Sequence, residues 1–324
     1  MKKALKYAVG ATVLSTLASM SMVRFAIHRD SAGNTLRKVS MDNLAKKCMD
    51  KDSPLYRVHL CQEQLRPLVD AYREECPEFV LEAKSFDGVV LKGFLRKCEG
   101  SRKYVIAFHG YRATHREIDD LGFGLGFHRL GFNVLSVDQR ASGESGGKYI
   151  GMGWLERKDA LAWIDVVKKM DPEAYIVLFG ESMGAATVLA AGGEELPSNV
   201  KAIVSDSGYA DVYSTFRKTS KHLFHVSGDP IILEGSLLSR LVAGYGFKDA
   251  DIAKALSHCA LPVLLFHGEK DSMVSFDNLG KLYEAKKTGY VEKHAVAEAD
   301  HVTSVFFLGQ EYWDIIDKFL QDHA

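Results

Sequence analysis

The sequence predicts an α/β protein whose mostly parallel, doubly wound sheet carries a helical lid inserted after the sixth core strand. From residue 79 onward, short apolar runs rich in β-branched residues alternate with helical segments, which is typical of a parallel sheet buried on both faces. Residues 209–257 interrupt this alternation with helical spacing and no core strand. We interpret this stretch as a lid over the carboxyl ends of the strands, where reactive groups of such sheets collect. An ordinary pair of connecting helices is the alternative.

The main domain is predicted to span residues 79–324. Its first two strands are joined by Asp87-Gly88, a strong hairpin signal. Further apolar runs predict the remaining strands, and the segments between them have the apolar periodicity of helices. The predicted strands are residues 79–84, 89–95, 103–108, 132–137, 175–179, 201–206, 262–266 and 290–296. The longer predicted helices are residues 154–170, 185–191, 276–287 and 303–320.

The fifth strand, Tyr175–Phe179, leads into the turn Gly180-Glu181-Ser182-Met183-Gly184 and then into small, helix-forming residues. A strand, a glycine-flanked turn with serine at its apex and a helix form a nucleophile elbow. The flanking glycines are needed because the apex residue is strained and neighbouring side chains would clash with it. The sequence therefore predicts that Ser182 is a nucleophile.

A second G-x-S-x-G match, residues 143–147, shows that the pattern alone is weak. It follows the polar run 138–142 and precedes Lys148-Tyr149, so it has no strand directly before it and no helix directly after it. The motif needs that context. We therefore predict that Ser145 is a loop serine.

Composition excludes several classes of function. The chain has 324 residues, enough for a large core, and its 41 basic and 42 acidic side chains are nearly balanced. The balance argues against a nucleic-acid partner. Five cysteines without C-x-x-C spacing indicate neither a zinc site nor a complete disulfide framework.

The N-terminal segment, residues 1–27, allows three interpretations. Lys2, Lys3 and Lys6 precede an apolar run from Tyr7 to Val23, which is long enough for a signal anchor. A cleaved signal peptide would lack a clean A-x-A site here, and a soluble amphipathic helix would need more polar periodicity. We favour a membrane anchor with the catalytic domain outside the cell, although the unpaired cysteines favour the opposite side.

Residues 28–78 are polar and charged, and we interpret them as a tether with one or two short helices. Leu65, Leu68, Val69 and Tyr72 would share one helical face. A helix that binds a partner is the alternative.

A serine hydroxyl needs a base that is oriented by a carboxylate. Asp271 follows the strand that ends at Phe266, and His301 follows the last strand, in the order serine, acid, histidine. Both lie where parallel strands would deliver them to the elbow. Asp206 and Glu269 are competing acids, whereas Asp300 is too close to His301 along the chain.

The oxyanion that forms when the serine attacks a carbonyl needs N–H donors. The Met183 amide, at the start of the elbow helix, is one candidate. The Tyr111 amide, after the strand end His109-Gly110, is the other. We expect His109 and His267 to be buried imidazoles that bond the backbone. A metal site from His109, Asp138 and His267 lacks ligand spacing, so we expect no metal and no cofactor.

From about residue 79 to its end, the chain resembles the α/β-hydrolase superfamily, and it looks most like bacterial membrane-anchored hydrolases of the BEM46-like and cinnamoyl-esterase-like group. The motifs that carry the resemblance are Ser85-Phe86-Asp87-Gly88, His109-Gly110-Tyr111, residues 138–145, Gly180-Glu181-Ser182-Met183-Gly184, His267-Gly268 with Asp271, and Asp300-His301. The resemblance implies the α/β-hydrolase fold and a Ser182–His301–Asp271 triad with the Tyr111 and Met183 amides as oxyanion hole. One departure is visible, because the family loop D-x-R-G-H-G-x-S here has Ala141-Ser142 after Arg140.

The sequence thus predicts a serine hydrolase that cleaves a carboxylic ester, or a related acyl bond of a small molecule, through an acyl-enzyme. A serine peptidase or amidase of the same fold is one alternative. A non-catalytic, membrane-anchored binding protein with a hydrolase fold is the other.

Overall fold

The computed structural model describes residues 16–31, 42, 46–224 and 229–324. Within these residues the strands form one eight-stranded sheet of order β1-β2-β4-β3-β5-β6-β7-β8. The strands are β1 (Glu78–Lys84), β2 (Val90–Arg96), β3 (Lys103–Phe108), β4 (Asn133–Asp138), β5 (Tyr175–Glu181), β6 (Val200–Asp206), β7 (Val263–Gly268) and β8 (Val291–Val296). β2 pairs antiparallel with both β1 and β4, and all other neighbours are parallel. The mostly parallel sheet is therefore confirmed.

Helices follow most of the strands and cover both faces of the sheet. They are α1 (Tyr56–Glu75), α2 (His115–Asp120), α3 (Phe123–Arg129), α4 (Glu156–Met170), α5 (Met183–Ala191), α6 (Val212–Phe224), α7 (Asp229–Ala243), α8 (Ile252–Leu256), α9 (Asp277–Ala285), α10 (Ser304–Leu308) and α11 (Gln310–His323). The hairpin between β1 and β2 lies where Asp87-Gly88 predicts it, and Gly88 has φ +85°.

Alternate side chains of β5 explain why its run from Ile176 to Phe179 is continuously apolar. Ile176 and Leu178 belong to the hydrophobic cluster on one face of the sheet, which also holds α4 and α5. Val177 and Phe179 belong to the cluster on the other face, with α3 and α11. A strand with helices on both faces has no side open to water, so both sets of side chains must be apolar.

The predicted C-terminal helix over residues 303–320 is two helices in the structure. Gly309 lies between them with a φ of +61°, a positive value that ends α10 before α11 begins. Glycine adopts this conformation without the steric cost that a Cβ adds. The predicted lid segment, residues 209–257, contains α6, α7 and α8.

The region predicted as a polar tether contains a packed helix of twenty residues, α1. Val58 belongs to the cluster that lies on the sheet, and Val69 and Tyr72 pack with Leu125 of α3. Of the predicted apolar face, Leu68 is exposed. The difference arises because few apolar positions, spaced along one face, are enough to dock a helix that is otherwise polar.

The predicted membrane anchor begins outside the described residues. Its described part is helical over residues 16–27, which we call the N-terminal helix. Val23, Ala26 and Ile27 are buried in the main hydrophobic cluster of the domain. Among the described residues, no helix is both long enough and apolar enough to cross a membrane.

Two glycines in helices allow the packing of the elbow to be tested. A Cβ on Gly184 of α5 would overlap the backbone carbonyls of Phe108 and His109, whereas a Cβ on Gly280 of α9 would meet no atom within 4 Å. We expect Gly184→Ala to lower the free energy of unfolding by about 3 kcal/mol or more. Gly280→Ala should raise it by about 0.5–1 kcal/mol, because alanine restricts the unfolded chain. Urea denaturation measures both, and equal shifts would contradict the packing argument.

Candidate active site

Ser182 lies at the apex of the turn between β5 and α5, with φ +55° and ψ −115°. A Cβ on Gly180 would overlap the carbonyl of Gly184, so the two glycines that flank the turn face each other across it. Positive φ in a non-glycine residue is a strained conformation that the surrounding structure must impose. Here the Ser182 amide donates to the carbonyl of Asp206 on the neighbouring strand at 2.8 Å. Ser182 is half-buried at the carboxyl end of β5.

The structure brings Ser182, His301 and Asp271 into one hydrogen-bonded row. The Ser182 hydroxyl donates to Nε2 of His301 at 2.8 Å, and Nδ1–H of His301 donates to Oδ2 of Asp271 at 2.8 Å. Ser182 follows β5, Asp271 follows β7 and His301 follows β8. The three side chains are far apart in the chain and meet because these parallel strands end at the same edge of the sheet.

The side chain of Asp271 is fully buried and keeps its negative charge. Burial acts to raise its pKa, but the charge of His301 and hydrogen bonds from His267 and His301 outweigh burial and hold the pKa well below the usual range. Nε2 of His267 lies 3.2 Å from Oδ2, and the amides of Met273 and Val274 donate to Oδ1 at 2.9 and 2.7 Å. The carboxylate is thus an acceptor with a fixed orientation.

The pKa of His301 shifts in the opposite direction from the pKa of Asp271. Burial acts to lower the pKa of the imidazole, but Asp271 outweighs burial through its charge and its hydrogen bond, with added contributions from Asp206 and Asp300. The pKa of His301 is therefore raised above its ordinary value. A histidine that is oriented on one nitrogen and bonded to a hydroxyl on the other can accept a proton from that hydroxyl.

The competing acids, Asp206, Asp300 and Glu269, have other partners or face solvent. Asp206 is buried, which raises its pKa, and it accepts from the hydroxyls of Ser207 and Tyr312 at 2.9 and 3.1 Å. Asp300 accepts from the Ser272 amide and from the amide of His301 itself, both at 2.7 Å. Glu269 is exposed. In the described residues, Asp271 is the carboxylate that bonds the ring of His301.

The Tyr111 and Met183 amides lie at the same edge of the sheet as the serine. Because Gly184 lacks a Cβ, the start of α5 packs directly on the carboxyl end of β3, from which the Tyr111 loop continues. The Gly110 amide donates to a carboxylate oxygen of Glu181, the residue before the serine. The structure thereby links the β3 loop to the elbow.

Glu181 was missed in the sequence analysis, although a signal was available. A carboxylate at the end of an otherwise apolar strand is costly unless it is bonded. Glu181 is 2% exposed, and it holds the loop that carries Tyr111.

A second element that sequence reasoning missed is the contact between the N-terminal helix and this loop. The Tyr111 hydroxyl donates to the carbonyl of Ala26 at 2.5 Å. The Arg112 guanidinium donates to the carbonyls of Phe25 and His28 at 2.8 and 3.0 Å. Carbonyls at a helix C-terminus lack partners within the helix, and cations stabilise that end. Two adjacent residues of the β3 loop therefore cap the N-terminal helix.

Ser145, the serine of the second motif, lies in the loop between β4 and α4. Its hydroxyl donates to the carbonyl of Asp138 at 2.5 Å and accepts from the Lys92 amide at 2.8 Å. In the same loop, Ala141 has φ +58°, at the position where the family pattern has glycine. Alanine in place of glycine at this position thus adds local backbone strain. The neighbouring Arg140 still donates to the buried carboxylate of Asp159 at 2.7 Å.

The three residues considered for a metal site bond separate partners. His109 donates to the Gly110 carbonyl at 2.7 Å and accepts from the amide that follows Asp138 at 3.1 Å. Asp138 bonds Nδ1 of His115 at 2.9 Å, and His267 bonds the carbonyl of Val274 at 2.9 Å. In the described part of the chain, no three or more His, Cys, Asp or Glu side chains are grouped to hold a metal ion.

The chain is similar to known hydrolases. Residues 99–229 match the family model described as serine aminopeptidase, S33. The matched range contains Tyr111, Ser182 and Met183 and ends before Asp271 and His301.

Sequence relatives and a solved structure are similar to large parts of the chain. The uncharacterized protein YqkD of Bacillus subtilis is 25% identical over 236 residues, covering 72% of this chain and 76% of its own. Human ABHD12B is 31% identical over 170 residues, and the match covers 51% of this chain but only 45% of that protein. The Pyrococcus furiosus esterase Pf2001 superposes with a TM-score of 0.61 at 25% identity, covering 77% of this chain and 94% of the esterase. The predicted α/β-hydrolase fold is confirmed.

The capping contact between Arg112 and the N-terminal helix predicts how that helix is held. Charge-assisted hydrogen bonds contribute about 1.5–3 kcal/mol each, so Arg112→Ala should let the helix detach at least about tenfold more often. Trypsin cleavage after the exposed Arg24, followed by mass spectrometry, measures this. Arg116→Ala, an exposed change in the same region, should leave the cleavage rate unchanged. Equal rates in the two variants would show that Arg112 does not hold the helix.

Proposed function

Because the chain is a serine hydrolase of the α/β-hydrolase superfamily, we propose that it cleaves a carboxylic ester by way of an acyl-enzyme on Ser182. The observation that carries this proposal is the row from the Ser182 hydroxyl through His301 to Asp271, with both contacts at 2.8 Å. A neutral serine becomes an effective nucleophile when a positioned base removes its proton during attack.

The proposed reaction has two halves. Oγ of Ser182 attacks the ester carbonyl carbon while its proton passes to Nε2 of His301, and the amides of Tyr111 and Met183 donate to the oxyanion. His301 then gives the proton to the departing alkoxide oxygen, which leaves as an alcohol. A water molecule gives a proton to the same nitrogen as it attacks the acyl-enzyme, and His301 then returns that proton to Oγ of Ser182 as the carboxylic acid is released. Asp271 stays ionised and stabilises the imidazolium in both halves.

An ester is the preferred substrate class because the Pyrococcus furiosus protein, which aligns over most of this chain, is described as an esterase. The matching family model is described as a serine aminopeptidase, which favours an amide as the second candidate. Hydrolysis rates on p-nitrophenyl esters of graded acyl length and on the matched p-nitroanilides would separate the two. Faster turnover of the anilides would replace esterase by amidase in this proposal.

A fluorophosphonate probe tests the nucleophile directly. We expect stoichiometric labelling of the native chain at Ser182, because the probe traps a serine activated by a base. Labelling should vanish in Ser182→Ala and persist in Ser145→Ala, which removes the serine of the other G-x-S-x-G match. A properly folded native chain that remains unlabelled would favour a non-catalytic binding protein, and labelling lost in Ser145→Ala would refute the choice of serine.

The carboxylate that orients His301 can be identified by its effect on rate and on pH dependence. Asp271→Asn should lower kcat roughly 10⁴-fold. It should also shift the acidic limb of the kcat/KM profile to lower pH, because Asp271 raises the pKa of His301 and activity requires the neutral imidazole. Asp206→Asn serves as the control, and Asp206 raises the same pKa less. A larger loss of rate in Asp206→Asn would overturn the assignment of the acid.

A further inference from the structure

A stripe of leucines lies exposed along α7 in the predicted lid segment. Leu233, Leu237 and Leu241 follow one another at intervals of four residues, and their exposed fractions are 45%, 59% and 81%. Residues four apart lie on one face of a helix. On the N-terminal helix, Leu17 and Met20 are 55% and 53% exposed. We call these five side chains the outer apolar surface.

The two helices that carry this surface are joined to each other. Thr16 and Ser19 donate from their hydroxyls to the two carboxylate oxygens of Glu234, at 2.6 and 2.9 Å. The side chains of Met22 and Val23 pack against the adjacent Gly235, so the helices lie in close contact there. Since Leu17, Met20 and Leu233 are sequence neighbours of these contacting residues, their exposed side chains flank one helix–helix contact.

The sequence that leads into the outer apolar surface indicates what covers it. Residues 7–15 contain no charged side chain and connect directly to Thr16. Lys2, Lys3 and Lys6 come just before them. An uncharged apolar stretch with adjoining lysines is typical of segments that bind a bilayer surface, where apolar groups enter the acyl region and lysines meet anionic headgroups.

The packing of the N-terminal helix argues against a span. Spanning the hydrocarbon core takes about 20 apolar residues, and the run from Tyr7 to Val23 has that approximate length. However, Val23 is buried in the protein core and Ser19 is bonded to Glu234. Residues 7–15 would rise only about 14 Å as a helix, which is less than half of the hydrocarbon thickness of about 30 Å.

We propose that the outer apolar surface lies against the membrane interface, so that the protein rests on a bilayer instead of being tethered to it by a spanning anchor. The side chains of α7 and of the N-terminal helix enter the boundary between headgroups and acyl chains. The opposite end of the N-terminal helix bonds Tyr111. If the proposed ester hydrolysis holds, we expect the bound protein to favour esters that partition into the bilayer.

Vesicle flotation tests the surface without using activity. The full chain with Ser182→Ala is mixed with phosphatidylcholine vesicles, and Leu233→Glu/Leu237→Glu is compared with Leu60→Glu/Leu68→Glu. The control pair lies on α1 and is 46% exposed at both positions. We expect the α7 pair to lower the vesicle-bound to free ratio at least tenfold and the α1 pair to leave it unchanged. Equal effects of the two pairs, or no flotation of the parent chain, would overturn the proposal.

Further measurements distinguish a membrane from the other molecules that could cover this surface. Replacing Lys2, Lys3 and Lys6 by Gln should weaken binding only when the vesicles contain anionic phosphatidylglycerol. Sedimentation velocity without vesicles should give the same mass for the parent and for Leu233→Glu/Leu237→Glu. A parent dimer that the substitutions dissociate would identify a second copy of the chain as the occupant and would refute the membrane. Fluorophosphonate labelling of the same variants with Ser182 restored reports on the hydrolase separately, so loss of either result does not imply loss of the other.

Discussion

The close approach of α5 to the carboxyl end of β3 is the contact on which the rest of the candidate site depends. A side chain at Gly184 would overlap the carbonyls of Phe108 and His109, so only bare backbone allows this packing. The contact brings the start of the elbow helix beside the loop that carries Tyr111. Ser182, the residue directly before α5, has a φ of +55°, which a serine in a relaxed chain would rarely adopt. The strained residue and the close backbone contact therefore lie side by side at the elbow.

Asp271 and Asp206 both lie at this edge with buried side chains, but their pKa values shift in opposite directions. Asp271 is surrounded by two histidines and two backbone amides, which stabilise its charge and hold its pKa low despite burial. Asp206 is bonded by hydroxyls, and burial raises its pKa. The difference in partners, more than the depth of burial, makes Asp271 the carboxylate suited to orient and stabilise a histidine that receives a proton.

The N-terminal helix illustrates why hydropathy alone cannot distinguish a membrane anchor from a docked helix. Val23 and Ile27 are apolar because they pack in the core, whereas Leu17 and Met20 are apolar and exposed. Both groups contribute equally to an apolar run in the sequence. What separates them is the position of neighbouring elements, in particular Glu234 of α7 and Arg112 of the β3 loop, and these lie more than 80 residues away along the chain.

The sequence by itself determined the features that depend on local chemistry. Apolar runs marked the strands, Asp87-Gly88 marked the hairpin, and the glycines around Ser182 marked the turn, because each signal acts over a few residues. The order of strands then placed Asp271 and His301 at one edge. Only the tertiary structure decided which carboxylate bonds His301, that Glu181 bonds the Gly110 amide, and where the N-terminal helix docks. These outcomes depend on distances between residues remote in sequence, which propensity and periodicity do not encode.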